Sequence, residues 1–194
     1  MEEEDLPRIA IRPYPTRYVW KEETDEDEPV TIRPIRPEDE PLMVKFHETL
    51  SEQSVYMRYF HMMNLDQRTT HERLTRICFI DYDREMALVA ERTDPEPGEP
   101  EIMGVARLSR RHGAANEAEV AVLISDPFQR QGLGTLLLSK LLSVARAEGL
   151  RHITADILFE NYIMQHISKR LGFRLRRDTQ EMVMKADLDL YQPA

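Results

Sequence analysis

The residues best suited to chemistry are Gln129-Arg130-Gln131-Gly132-Leu133-Gly134. Gly132 and Gly134 have no Cβ, so their backbone can close on a ligand. At the head of a helix such a bend presents unpaired N–H groups at the positive end of the dipole, which is anion-binding chemistry. The spacing is not the dinucleotide pattern G-x-G-x-x-G, and no Gly-Lys-Ser/Thr follows as in a P-loop. Taken alone, the hexapeptide also reads as a strand–turn–helix joint whose glycines serve packing. Upstream stand two carboxylates, Glu117 and Glu119, which share a face if their segment is a strand. They read as acid–base candidates or as an ordinary polar strand edge.

The elements around these residues follow from periodicity. Residues 117–125 (EAEVAVLIS) form a β-branched, apolar strand. Leu137, Leu138, Leu141, Leu142 and Ala145 form the buried stripe of the next helix, and Gly149 is placed to end it. Before them come a strand at 30–35, a helix from Pro37 and a short helix at 55–61 capped by Ser54. A helical stretch at about 66–76 and strands at 85–92 and 101–110 follow. After them come a strand at 152–158, a helix at 161–171 stopped by Gly172, and a strand pair at 173–177 and 181–187.

The chain of 194 residues fits one domain with a good core plus tails. Its net charge of −9 is uneven: residues 1–28 hold ten acids and four bases. There is no basic patch to suit nucleic acid. No apolar run approaches the ~20 residues of a spanning helix, and the acidic start is no signal peptide, so a cytoplasmic location and no membrane contact are expected. The single cysteine, Cys78, sits among apolar neighbours and reads as core filler. Six histidines are scattered without metal-ligand spacing, so no metal is expected. Residues 1–29 read as an acidic, extended N-terminal segment or linker, and 30–194 as the folded domain. Within the segment, Tyr14, Tyr18 and Trp20 suggest an extended stretch docked on another domain or subunit, with a disordered tail as the alternative. Arg110, Arg111, His112 and Arg151 read as solvated surface.

The strand with Gln129-Arg130-Gln131-Gly132-Leu133-Gly134, the segment NYIMQHISKRLGF at 161–173 and the strand order together resemble the GNAT acetyltransferase superfamily. TIRPIRPEDEPLMVKFHETLSEQSVYMRYF, residues 31–60, is similar to the opening of the acetyltransferase domain of Pat-type protein lysine acetyltransferases. In many of those an acyl-CoA-synthetase-like region precedes the domain, and residues 11–20 are similar to the join. The resemblance implies an α/β (α+β) GNAT fold. That fold has a mixed, mostly antiparallel sheet of about six to seven strands, flanked by helices and splayed between the fourth and fifth.

It also implies an N-acetyltransferase that uses acetyl-CoA as cosubstrate. Its acceptor would be the lysine of a protein, such as an acyl-CoA synthetase, attacked directly in a ternary complex. A small-amine N-acetyltransferase and a non-catalytic acyl-CoA sensor are the alternatives. The pyrophosphate would lie on Gln129, Arg130, Gln131, Gly132, Leu133, Gly134 and Thr135. The pantetheine would lie along Val122, Leu123 and Ile124, with Asn161 nearby. Glu119 aligns with the family's general base. Where many members carry an acidic tyrosine, this chain has Ser168, and Tyr162 is a weak substitute. Tyr56, Tyr59, Phe60 and Met62 would guide the acceptor, with at least half of them expected in the core.

Overall fold

The alternating strands at the centre of the chain assemble into an eight-stranded sheet. A computed structural model describes residues 12–96 and 98–191. Strands β1 (Trp20–Glu23), β2 (Pro29–Pro34), β3 (Glu85–Thr93), β4 (Pro100–Arg110) and β5 (Glu117–Ile124) run antiparallel in sequence order. Then come β6 (His152–Leu158), β8 (Val183–Asp189) and β7 (Arg174–Asp178), with β8 between the other two. Only the β5–β6 pair is parallel.

Five helices and one short helical turn cover the two faces. They are α1 (Glu40–Glu48), α2 (Glu52–Tyr59), α3 (Leu65–Arg68), α4 (His71–Cys78), α5 (Leu133–Ala147) and α6 (Tyr162–Arg170). Alternate residues of one strand face opposite ways. Met86, Leu88 and Ala90 of β3 therefore meet Leu137, Leu138 and Leu141 of α5 in one core. Ala87 and Val89 meet Met43 and Phe46 of α1 and Leu74 of α4 in the other. Each fully buried leucine or phenylalanine contributes roughly 1.5–3 kcal/mol to this two-layer packing. Helix α5 ends as its sequence suggests. Gly149 takes φ +74°, Gly149 N–H donates to Arg146 O and Leu150 N–H to Ala145 O, closing a left-handed cap.

Four details differ from the sequence reading. The sheet has one strand more than expected, because Trp20–Glu23 pairs with β2 from Trp20↔Ile32 to Glu23↔Pro29. Hydrogen bonding thus runs across the expected boundary between residues 29 and 30, while residues 1–11 of that segment lie outside the described ones. Ser51, not Ser54, caps α2, its Oγ accepting from Ser54 N–H at 3.1 Å. The helical stretch at 66–76 breaks into α3 and α4 at Thr69 and Thr70. The aromatic segment docks on its own domain. Tyr18 is buried and stacks on Trp20, its hydroxyl donates to Glu148 at 2.6 Å, and Lys140 of α5 lies over the Trp20 ring.

Candidate active site

Strand β5 keeps its partner β4 along its full length, from Arg110↔Ala118 to Gly104↔Ile124. Its pairing with β6 covers only Glu117↔His152, Ala118↔Ile153 and Glu119↔Thr154. From Val120 onward the two parallel strands part. The β6-facing edge of β5 over Val122, Leu123 and Ile124 is therefore open, a slot that a chain with amide groups can enter as an added strand does.

The slot leads to the glycine bend. After Ile124 a short turn, Asp126–Phe128, is held by Ser125 N–H donating to Met103 O at 2.9 Å. Asp126 accepts from Ser51 N–H at 3.0 Å. The Gln129 side chain braces the bend, donating to Ile124 O at 3.1 Å and to Ser54 Oγ at 3.0 Å. Arg130 and Gly132 both take left-handed backbone angles, φ 65° and 76°. Such curls turn successive N–H groups to one side and form anion-binding concavities. Gly132 is the N-cap of α5, and no side chain accepts from the first turn of the helix. The N–H groups around Leu133, Gly134 and Thr135 thus keep their hydrogens for a ligand. An arginine held at positive φ costs about 1–2 kcal/mol, which a structure retains only where its surroundings fix it.

The two glycines have distinct steric reasons. A Cβ on Gly132 would run into the Asp25 carboxylate of the β1–β2 turn. A Cβ on Gly134 would lie 3.1 Å from Ile167 Cδ1, so its smallness lets α6 approach α5. A diphosphate needs only backbone donors and a cationic helix end, and the bend offers both. Asn161 lies across the slot at the end of β6. Its Oδ1 accepts from Met164 N–H at 3.1 Å as the cap of α6, which leaves its amide nitrogen free to donate.

Glu119 occupies the last paired position before the strands part, and its side chain is exposed. It lines a cavity of about 570 Å³ walled by α1, α2, α4, β4 and β5, with Glu85 of β3 as a second carboxylate. The lining includes His47, Arg58, Tyr59, Arg73 and Arg107. Among the aromatic and apolar guides expected at 56–62, only Tyr59 packs partly into a core; Tyr56, Phe60 and Met62 are exposed. The reason is that α2 is short and turns its Val55 face inward. Ser168 is buried with no hydrogen-bond partner for its hydroxyl, and Tyr162 points to solvent at 75% exposure. Arg110, Arg111 and Arg151 gather at the far end of β5, where Arg110 donates to Ala115 O and Arg151 N–H to Asn116 O. Eight strand residues, about 25 Å, separate that end from the bend.

Cys78 is buried, and burial pushes its thiol up to about 12. It is inert core, as its neighbours suggested. The cavity residues His47, Arg58, Arg73 and Arg107 were not picked out from sequence. One signal was available: Arg107 interrupts the apolar run Met103-Gly104-Val105-Ala106, and His47 lies on the buried stripe of α1.

Residues 30–174 match the family model described as an acetyltransferase (GNAT) domain. The chain is 31% identical over 159 residues to Acetyltransferase PA5475 of Pseudomonas aeruginosa, covering 82% of each chain. It is 26% identical over 153 residues to Acetyltransferase Pat of Mycolicibacterium smegmatis, covering 79% of this chain and 44% of that one. It therefore spans less than half of that relative. The crystal structure of the GNAT domain of S. lividans PAT superposes with a TM-score of 0.80 at 26% identity, over 91% of this chain and 99% of that one. With the open edge of β5 and the glycine bend at its end, these likenesses make the chain a member of the GNAT acetyltransferase family, whose cosubstrate is acetyl-CoA.

Proposed function

We propose that the chain transfers the acetyl group of acetyl-CoA to a primary amine, with Glu119 as general base. The carrying observation is that Glu119 sits where β5 parts from β6, between an open strand edge and an acceptor cavity. In this reading the amides from Gln129 to Thr135 hold the diphosphate. The open edge at Val122, Leu123 and Ile124 aligns the pantetheine, and an N–H there polarises the carbonyl oxygen. The Asn161 amide donates from the opposite side.

The thioester supplies an activated acyl carbon. The amine must reach it unprotonated, and an unperturbed lysine amine has a pKa near 10.4. Glu119 takes the proton directly or through one water. The nitrogen–carbon bond forms and the carbon–sulfur bond breaks. Glu119 passes the first proton to bulk water and takes the second from the nitrogen after attack, and the thiolate takes one from water, since a thiol of pKa ~8.5 leaves readily. No covalent enzyme intermediate is needed, because Cys78 is buried and unreactive.

The resemblance to Pat-type enzymes supports a protein lysine as acceptor, acyl-CoA synthetases among them. The single buried cysteine suits a reducing compartment such as the cytoplasm. A second reading, a small amine, is favoured by one observation: the lining of the acceptor cavity includes four arginines, Arg58, Arg73, Arg76 and Arg107. Incubation with labelled acetyl-CoA and candidate amines tests the reaction. Glu119→Gln should lose about 10²–10⁴-fold in rate while calorimetric CoA affinity stays unchanged. Full activity in that variant would remove Glu119 from the mechanism.

A further inference from the structure

Arg58, Arg73 and Arg107 line the acceptor cavity and form no ion pair with any carboxylate among the described residues. Their contacts are neutral. Arg73 donates to Tyr59 Oη at 3.0 Å and to Arg68 O at 2.9 Å, and Arg107 donates to Ile77 O. The guanidinium carbons of Arg58 and Arg73 lie 5.0 and 5.3 Å from the same Tyr59 ring centroid. Burial lowers the pKa of both Arg58 and Arg107, the sign of cations short of solvent, against the partial opposition of Glu119 at Arg58 and Glu85 at Arg107. The buried Arg33, by contrast, holds Asp39 through two hydrogen bonds, at 2.8 and 2.6 Å, whereas the buried Arg68, beside the cavity, donates only to the carbonyls of Met63 and His47. Glu85 and Glu119 line the same cavity, but neither forms an ion pair with Arg58, Arg73 or Arg107 among the described residues, and half-buried cations without a direct partner are costly.

A second observation is independent of the arginines. His47 lines the same cavity and is 1% exposed. Its Nε2 lies 3.4 Å from Arg73 Nη1. Arginine can only donate, so Nε2 is the acceptor and the proton of the neutral ring is on Nδ1. That Nδ1–H is buried and has no partner. An unsatisfied buried donor costs about 1–3 kcal/mol, which a bound oxygen would recover.

Deepening the N-acetyltransferase reading and resting on it, we propose that the acceptor is a small amine carrying its own carboxylate. The carboxylate lies among Arg58, Arg73 and Arg107, with the Nδ1–H of His47 as a further donor, and the amine lies at Glu119. Guanidinium forks match carboxylate oxygens in geometry and charge. The lysine ammonium of a neutral peptide brings no such anion and meets the cations unaccompanied. The cavity, about 570 Å³, has the size of a small-molecule site.

The test measures CoA release with paired acceptors that differ in one group: 5-aminopentanoate against pentylamine, and free lysine against cadaverine. A neutral lysine peptide and an acid-flanked lysine peptide complete the set. The expected result is a kcat/KM about 10–100-fold higher for each carboxylate-bearing partner, the worth of a charged hydrogen bond. Arg73→Met and, separately, Arg58→Met should bring that ratio towards one by raising KM. Arg58 donates no hydrogen bond among the described residues, so its variant keeps the fold if the other does not. Preference for the acid-flanked peptide over the free amino acid would keep the anion site but overturn the small amine as its occupant. Equal or better use of pentylamine, or a ratio unchanged in both variants, overturns the proposal. If no amine releases CoA, the acetyl-transfer reading fails. Calorimetric binding of 5-aminopentanoate, with its loss in Arg58→Met, then still decides the anion site.

Discussion

The backbone N–H of Asp25 donates to the carbonyl of Gln131 at 3.0 Å. The acidic turn between β1 and β2 is therefore bolted to the bend that opens α5. Arg92 strengthens the joint, pairing with Glu28 of that turn and lying over the Phe128 ring 4.3 Å away. Residues 24–28 are thus a structural support of the glycine bend.

Gly132→Ala should weaken acetyl-CoA binding for two separable reasons. The left-handed backbone costs an alanine about 1–2 kcal/mol, and the new methyl meets the Asp25 carboxylate. Adding Asp25→Gly removes the second cost only. Calorimetry should show a loss of roughly 10-fold or more for the single variant and a partial recovery for the double. Identical affinities in the two would mean that the turn does not press on the bend.

Gly134→Val should act through α6. A Cβ there already lies 3.1 Å from Ile167 Cδ1, and valine adds two methyls beyond it. Overpacking of this kind costs about 1–3 kcal/mol. Urea unfolding should show that loss and its relief by Ile167→Ala. A Gly134→Val chain as stable as the parent would show that the α5–α6 contact yields freely.

Elements with strong periodicity were legible. The leucine stripe and Gly149 cap of α5 lie where their spacing put them, because both are local signals. So was the bend, since a single strand and turn carry it. What could not be read is long-range. Asp25 reaches Gln131 across 106 positions of chain, and no local pattern records that a charged turn folds back. The cationic cavity draws on α1, α2, α4 and β4, and each arginine alone looks like ordinary surface. The acidic run at 22–28 reads as solvated because its partners, Arg92 and Lys140, are distant in sequence.

Asp39→Asn should destabilise the chain strongly. Asp39 is 1% exposed and accepts two bonds from Arg33 and one from Arg36 N–H, while Arg33 also donates to Glu91. Losing the charge of one member of a buried pair leaves the other uncompensated, typically at 3–5 kcal/mol. Denaturant titration should give a loss of that order, softened because Glu91 remains. A change below about 0.5 kcal/mol, the level of a surface substitution, would show that Glu91 alone satisfies Arg33.

His47 should make stability depend on pH in a defined direction. Burial, and then the charges of Arg73, Arg68 and Arg107, lower its pKa to about 3 in the folded chain. Unfolded histidine titrates near 6.5. Between those values the unfolded chain binds one more proton than the folded one. The contribution is therefore complete above pH ~6.5 and is lost as pH falls from there towards about 3. The slope approaches about 1.4 kcal/mol per pH unit in mid-window. His47→Gln removes the titrating group while keeping a donor and an acceptor. The stability difference between parent and variant, measured by urea unfolding at pH 7, 6 and 5, should shift in favour of the variant as pH falls. A difference constant across that range would mean that the ring takes up its proton in the folded state as easily as in the unfolded one.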